Sequence, residues 1–126
     1  MQDRPISDKI RRFIRKAIRT TWTLETLLFL LRHQSQSWST SSLVKELRSS
    51  ELAISGSVSQ LVRIGLVIEI DRDMFQYRPA NEELAELADN LKELNAGRPY
   101  ALIEEIAAAQ GAGAQDFADA FKLRKD

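Results

Sequence analysis

Few residues of this sequence have the types and spacing that catalysis requires. The chain of 126 residues contains one histidine, His33, and no cysteine, so it offers neither a Cys–His pair nor thiolate ligands for zinc. Serines are abundant, but no nucleophile elbow or phosphate-binding loop surrounds any of them. The carboxylates are spread over predicted solvent-facing helix surfaces. The sequence therefore predicts a protein that is not an enzyme and uses no metal or cofactor.

Composition and length indicate one folded domain. Apolar residues make up 44% and charged residues 29% of the chain, proportions that are typical of globular proteins rather than disordered ones. The longest apolar run near the N-terminus, residues 27–31, is too short to span a bilayer. Residues 1–20 lack the apolar core of a secretion signal. We expect a cytoplasmic protein with no membrane partner.

Opposite charges are concentrated in two blocks, although the formal net charge is zero. Residues 1–20 contain seven Lys or Arg and two Asp, whereas residues 80–110 contain seven Asp or Glu and two Lys or Arg. The basic block could clamp phosphates, lie on a membrane surface, or pair with the acidic helix within one chain or across a dimer. Pairing is the favoured alternative, because it accounts for both blocks together and such pairs select a partner's orientation.

Apolar periodicity and turn residues predict the order of the elements. Helices are predicted over residues 7–19, 22–34, 41–48, 51–64, 81–94 and 99–109, an extended segment through Trp38, and two strands over 66–70 and 74–78 joined by a turn at 71–73. The expected N-caps are Ser7, Thr40, Ser49 or Ser50, and Asn81.

The fourth helix and the first long strand meet without a linker. The inner stripe of this helix is expected to consist of Leu52, Val58, Leu61 and Val62. Gly65 follows its last residue, and glycine adopts the left-handed conformation that ends a helix at no steric cost. The strand can therefore begin at once. The chain divides into an N-terminal basic helix (1–21), a central domain (22–80), two C-terminal helices (81–110), and a flexible joint with a tail (111–126).

Three stretches carry a resemblance to a known family: Leu43-Val44-Lys45-Glu46-Leu47, the Ser49-Ser50 turn, and LVRIGLV over residues 61–67. With the order of the elements, they resemble the winged-helix transcriptional regulators of bacteria, and the flanking helices resemble those of the MarR type. The resemblance implies a mainly α (α+β) fold, a winged helix-turn-helix with a short β-hairpin wing, one added N-terminal helix and two C-terminal helices. It also implies a homodimer joined through its first and last helices.

The resemblance further implies that the second helix of the helix-turn-helix enters the major groove of double-stranded DNA. Gln60 would suit adenine, Arg63 would suit guanine or a phosphate, and serines would suit phosphates. The candidate DNA-binding residues are Ser55, Ser57, Ser59, Gln60, Arg63, Lys45, Arg48 and Arg72.

The predicted wing favours an alternative function. Its tip carries Arg72 between Asp71 and Asp73, and two aspartates at this position would repel phosphate. Such a tip suits a basic protein partner. Because winged helices also serve as protein-binding modules, the alternative is an adaptor that binds protein and not DNA.

Two further surfaces are predicted to bind protein. An apolar stripe on a terminal helix needs a partner surface, so an interface between two copies of the chain is predicted. Its residues are Ile10, Phe13, Ile14, Ile18, Leu91, Leu94, Leu102 and Ile106. In the tail, Phe117 and Phe121 lie one helical turn apart before a basic end, which predicts a motif that packs on the dimer or binds another protein.

Overall fold

The computed structural model describes residues 6–109, which form six helices and a small antiparallel sheet. The elements in chain order are α1 (Asp8–Ala17), α2 (Thr21–Arg32), β1 (Trp38–Ser39), α3 (Thr40–Leu47), α4 (Glu51–Ile64), β2 (Val67–Asp71), β3 (Met74–Tyr77), α5 (Glu82–Gly97) and α6 (residues 99–109). The prediction of a mainly α fold with a small β part is confirmed. Each of these elements was expected from the sequence, and their ends shift by only a few residues.

Side-chain caps determine where several helices begin. Ser7, Ser50 and Asn81 each accept a hydrogen bond from the backbone N–H three residues further on, at 3.2, 3.1 and 2.8 Å. Such a bond satisfies one of the backbone donors that the first turn of a helix leaves without a partner. These predicted caps are confirmed.

The start of α3 differs from the prediction. Ser39, not Thr40, is the N-cap, and its Oγ accepts from the Ser42 N–H at 3.1 Å. Thr40 is the first helical residue, and its hydroxyl donates to Asp73 Oδ1 at 2.7 Å. The cap expected at Thr40 is therefore wrong by one residue, because this hydroxyl instead ties the start of α3 to the turn between β2 and β3.

The passage from α4 to β2 requires a glycine. Gly65 has φ +93°, in the left-handed region, and the Leu66 N–H donates to the Leu61 carbonyl at 3.0 Å to close the helix. A Cβ at Gly65 would lie 3.3 Å from both the Ala80 Cβ and the Leu84 Cδ1. Conformation and close packing thus both disfavour a larger residue, as the sequence predicted for the conformation.

The sheet has the order β1-β3-β2, with both pairs antiparallel. Trp38 in β1 pairs with Phe75 in β3, and Val67 in β2 pairs with Tyr77 at the other end of β3. The register between β2 and β3 shifts between Glu69 and Asp71, as in a β-bulge. The extended segment through Trp38 therefore forms the third strand, which closes the hairpin on one side.

A single core joins all the helices to the sheet. Helix α2 is its centre, and its most extensive contact is with α4. Leu24, Leu27, Leu28 and Leu30 of α2 are each no more than 1% exposed. The other fully buried large side chains are Ile14, Ile18, Leu43, Ile54, Leu61, Leu66, Leu91 and Leu102. Because these come from α1, α3, α4, α5 and α6 and the chain between them, the flanking helices belong to the same core as the central domain.

We predict opposite effects from adding one methyl group at two glycines. Gly65→Ala should lower the free energy of unfolding by about 1–2 kcal/mol, because alanine is disfavoured in the left-handed region. Gly56 lies in the middle of α4, and a Cβ added there would have no neighbouring atom within 4 Å. Because alanine favours the helix over glycine, Gly56→Ala should raise the free energy of unfolding by up to about 1 kcal/mol. Urea unfolding of both variants measures these changes, and equal effects would contradict the assigned conformation of Gly65.

The buried phenol of Tyr77 gives a second prediction. Tyr77 is 6% exposed, and burial, followed by the charge of Asp89, raises its pKa from 10.0 to about 12. Between these pH values the unfolded chain releases this proton while the folded chain retains it, so the free energy of unfolding should fall as pH rises from 10 to 12.

Tyr100 is the only other tyrosine, so Tyr100→Phe isolates the signal of Tyr77. In this variant tyrosinate absorbance should develop near pH 12 while circular dichroism still reports a folded chain. In Tyr77→Phe, the free energy of unfolding should fall less between pH 10 and pH 12, because the buried phenol is absent. Appearance of the tyrosinate band near pH 10 in the folded variant would contradict the burial of Tyr77.

Candidate nucleic-acid interface

The outward surface of α4 is set by the residues that α4 buries. Ile54, Ser57, Val58 and Leu61 lie on the buried side of the helix. With 3.6 residues per turn, the line opposite them carries the exposed residues Leu52, Gly56, Ser59 and Arg63. Ser55 is also exposed, beside this line. Of the five candidate DNA-binding residues predicted on this helix, Ser55, Ser59 and Arg63 are accessible to a partner.

The remaining two are held by the protein itself. Ser57 is 3% exposed, and its Oγ accepts a hydrogen bond from the Thr23 hydroxyl at 3.4 Å. Gln60 is half-buried, and its Nε2 donates to the Lys16 carbonyl oxygen at 3.3 Å. Ser57 is therefore unavailable to a base or a phosphate. Gln60 connects α4 to the last turn of α1 rather than extending toward a base.

The expected inner stripe of α4 is wrong at two positions. Leu52 is 85% exposed and Val62 is 38% exposed, although both were expected to face the core. The periodicity of the apolar residues is compatible with more than one helix face, and burial of Ile54 in the core selects the face that leaves Leu52 in solvent. Ile54 was missing from the predicted stripe.

The basic residues of α1 separate into two groups. Lys9 Nζ lies 3.5 Å from Glu83 Oε2, and Arg11 Nε lies 3.2 Å from Glu105 Oε2. The second contact is an ion pair without hydrogen-bond geometry, because the Arg11 Nε has no hydrogen-bond partner. The favoured pairing of the basic block with the acidic one thus occurs within a single chain, but only for the first half of α1.

From Arg12 onward, the cations of α1 and of the segment that follows it are without ion pairs within the described residues. Arg12, Arg15, Lys16 and Arg19 are all exposed, and none forms an ion pair with any residue between positions 6 and 109. Exposed cations without intramolecular partners are available for phosphate groups. Lys9 and Arg11 therefore pair with the C-terminal helices, and the cations from Arg12 to Arg19 present positive charge.

Lys16 and Arg19 lie beside Arg63, at a groove of about 550 Å³ between α1, α4 and α5. We call this the α1–α4 groove. Its cations are these three residues, and its carboxylate is Glu83, which already pairs with Lys9. The apolar part of its lining is formed by Phe13, Ala17, Ile64, Leu84 and Leu87. Arg63 is the one basic residue of α4, and the fold adds Lys16 from α1 and Arg19 from the segment between α1 and α2.

A second groove, of about 330 Å³, runs between the start of α2 and the outward line of α4. We call it the Trp22–Leu52 groove, after its two large apolar side chains, which are 38% and 85% exposed. Arg19, Gly56 and Gln60 also line it, and no carboxylate does. This groove was not expected from the sequence, because the apolar periodicity of α4 predicts Leu52 in the core.

The other predicted DNA-binding residues lie at the ends of α3 and of the hairpin. Lys45 and Arg48 are exposed, and Arg48 ends α3 in the left-handed conformation with φ 54°. Arg72 is exposed at the hairpin tip. Two carboxylates next to Arg72 are fixed by hydrogen bonds: Glu69 accepts from the Asp73 N–H at 2.9 Å, and Asp71 accepts from the Arg72 N–H at 2.7 Å. The tip is therefore acidic, as expected.

The residues predicted to join two copies of the chain are packed within one copy. Ile10, Ile14, Ile18, Leu91, Leu102 and Ile106 are at most 8% exposed, and Phe13 and Leu94 are partly buried against the same core. Their stripe needs no second chain, because α1, α5 and α6 cover one another. The homodimer stays a prediction, and its interface would have to use exposed side chains such as Tyr100 and Ile103, which are 82% and 45% exposed.

The tail motif of Phe117 and Phe121 lies outside the described residues. Among residues 6–109, no group of three or more His, Cys, Asp or Glu side chains is arranged to hold a metal ion. No helix of this described part is long and apolar enough to cross a membrane. His33 is exposed, and its ring lies 4.4 Å from the ring of Phe29 and 5.6 Å from that of Trp38.

Comparison of the chain with known protein families, with curated proteins and with solved structures yields no match. The site must therefore be interpreted from its own geometry. That geometry is an exposed helix face with small residues, flanked at its C-terminal end by three cations and preceded by two more on α3.

The hydrogen bond between Gln60 and Lys16 gives a prediction about the site's support. Gln60→Ala should lower the free energy of unfolding by about 1 kcal/mol and increase amide hydrogen exchange in the last turn of α1, because the bond connects that turn to α4. Ser59→Ala, at the neighbouring exposed position, should change the stability by less than about 0.5 kcal/mol. Urea unfolding and hydrogen exchange measure both. Equal exchange in the two variants would contradict this role of Gln60.

Proposed function

We propose that this protein is a winged-helix protein that binds double-stranded DNA and acts as a transcriptional regulator, with α4 as the helix that enters the major groove. The fold class supports the proposal, since α3 and α4 form two helices joined by a three-residue turn, and β2 and β3 follow as a hairpin. β1 pairs with β3 at the edge of the same sheet. This is the order of elements expected for a winged helix.

One observation carries the proposal: cations flank the exposed face of α4 at both ends. Toward the C-terminal end of α4, the cations that border the α1–α4 groove are Lys16, Arg19 and Arg63. Before the N-terminus of α4, Lys45 of α3 and Arg48 at the end of α3 are exposed. Contacts to phosphate supply most of the affinity of non-specific DNA binding, so a duplex-binding surface needs several cations on one side. The sequence alone offered one basic residue in this helix.

The length of α4 fits contact with bases at one end of the helix and with phosphates at the other. Leu52 and Arg63 are eleven positions apart on one line of the helix, which corresponds to about 17 Å along its axis. A recognition helix contacts base edges mainly with its N-terminal residues. The N-terminal half of the line would then face the bases, and Arg63 with Lys16 would bind the phosphates where the helix leaves the groove. Arg19 lines both grooves and would bind a phosphate between these two ends.

The small residues of α4 permit a close approach. Ser55 and Ser59 are exposed, and a Cβ added to Gly56, which lies between them, would have no neighbouring atom within 4 Å. Short side chains allow the helix backbone to come near the groove floor, and the serine hydroxyls can donate to phosphates or bases. A homodimer would present two such helices to the two halves of a palindromic site.

The proposal is tested by the salt dependence of binding to a pool of random-sequence duplexes, measured by fluorescence anisotropy. Lys16→Ala, Arg19→Ala and Arg63→Ala should each reduce the slope of log affinity against log salt by about 0.9, and the triple variant by about 2.7, because each removes one phosphate contact. Circular dichroism and urea unfolding should show unchanged folding.

Lys92→Ala is the matched control, since Lys92 is exposed on α5 and its loss changes the net charge equally. It should leave the slope unchanged. The proposal fails if the wild-type protein shows no salt-sensitive binding to duplex DNA, or if Lys92→Ala reduces the slope as much as Arg63→Ala.

A second candidate function is an adaptor that binds a basic protein partner through the hairpin tip. Ile70 at this tip is 49% exposed, and it is next to Glu69 and Asp71, which are also exposed. An apolar side chain among carboxylates suits a partner that is both basic and apolar. This candidate remains if duplex binding is absent.

A further inference from the structure

Leu52 is a large apolar side chain that the packing of α4 leaves in solvent. At 85% exposure it is the most exposed large hydrophobic residue of the described part of the chain. It is the second residue of α4, directly after the N-terminal Glu51. Leu52 shares a groove with Trp22, the other exposed large apolar side chain there, and contiguous exposed apolar surface marks interaction sites.

The surroundings of Leu52 indicate the chemistry of that partner. The Trp22–Leu52 groove is mostly apolar, its charged lining residue is Arg19, and no carboxylate lines it. A partner that combines negative charge with a small apolar group fits these features. Gly56, one turn further along the outward line of α4, leaves room for a close approach.

Duplex DNA has one apolar group on its base edges in the major groove, the C5-methyl group of thymine. The other groups there are hydrogen-bond donors and acceptors. On the line opposite the core, the N-terminal half of α4 carries Leu52 and Gly56, and Ser59 follows just past the middle of the helix. None of these is the long polar side chain that reads a base through two hydrogen bonds. Contact with a methyl group is the recognition that this half of the helix can make best.

We infer that Leu52 is a specificity-determining residue that contacts pyrimidine C5-methyl groups in the major groove. This inference rests on the proposed binding of duplex DNA by α4. Arg19 at the same groove would bind the adjacent phosphate. Trp22 would border the contacted nucleotide on the side of α2 and exclude water from the methyl group.

The test compares two duplexes that differ only in this methyl group, poly(dA-dT) and poly(dA-dU), both below their melting temperatures. The wild-type protein should bind the thymine duplex about fourfold more tightly for each contacted methyl group. Leu52→Ala should bind the two duplexes equally. Both proteins should keep the same salt slope, because the phosphate contacts are unchanged.

Val62→Ala is the matched control, since Val62 is also an exposed apolar residue of α4 but lies off the outward line. It should keep the preference for thymine. A second pair of duplexes, poly(dG-dC) with and without 5-methylcytosine, places the methyl group on cytosine instead. The wild-type protein should prefer the methylated form, and Leu52→Ala should show no preference.

The outcomes separate this inference from the proposed function. Salt-sensitive binding by the wild-type protein with equal affinity for both members of each pair would overturn the role of Leu52 and leave DNA binding intact. A methyl preference that persists in Leu52→Ala would also overturn it. Absence of salt-sensitive binding to all four duplexes would overturn the proposed function and this inference together, and would leave the Trp22–Leu52 groove to an acidic, apolar peptide.

Discussion

The packing of α4 on α2 is the constraint on which the rest of the structure depends. Helix α2 is buried on nearly all sides, so every neighbouring element must cover part of it. Helix α4 makes the most extensive contact with α2 and buries Ile54, Val58 and Leu61. This choice of face also determines the opposite one, because a helix that buries one line of residues must expose the line half a turn away. Leu52, Gly56, Ser59 and Arg63 are exposed for this reason.

The same packing divides the charge of α1. Helix α1 contacts α5 and α4, and its first half lies close enough to Glu83 and Glu105 for ion pairs. Exposed pairs such as Lys9–Glu83 contribute little stability, so the buried apolar residues of α1 hold it in place. The ion pairs instead determine where charge is neutralised. The unpaired cations remain at the other end of α1, next to α4, and this separation creates a basic surface on a chain whose net charge is zero.

The hairpin of β2 and β3 carries negative charge at its tip, in contrast to the basic surface at α1 and α4. Its turn is held by hydrogen bonds from Thr40 to Asp73 and from the Asp73 N–H to Glu69, so carboxylates that form the turn also give its tip negative charge. Asp73 adopts a left-handed conformation with φ 58°, which aspartate tolerates better than most residues. The acidic charge of the tip is thus partly a consequence of turn formation. Because their charges are opposite, the hairpin tip and the basic surface at α1 and α4 suit different kinds of binding partner.

The elements, their order and most of their ends could be predicted from the amino-acid sequence. Gly65, Ser7 and Asn81 act through local backbone conformation and short-range hydrogen bonds, which depend on neighbouring residues and can therefore be read from the sequence. Only the tertiary structure decided which face of α4 is buried, since Leu52 and Ile54 are both apolar and either could face α2. It also decided that Ile10 and Leu102 are covered within one chain, that Ser57 is enclosed by Thr23, and that Lys16 and Arg19 lie beside Arg63. These outcomes depend on distances between residues far apart in the sequence, which packing sets and local pattern does not.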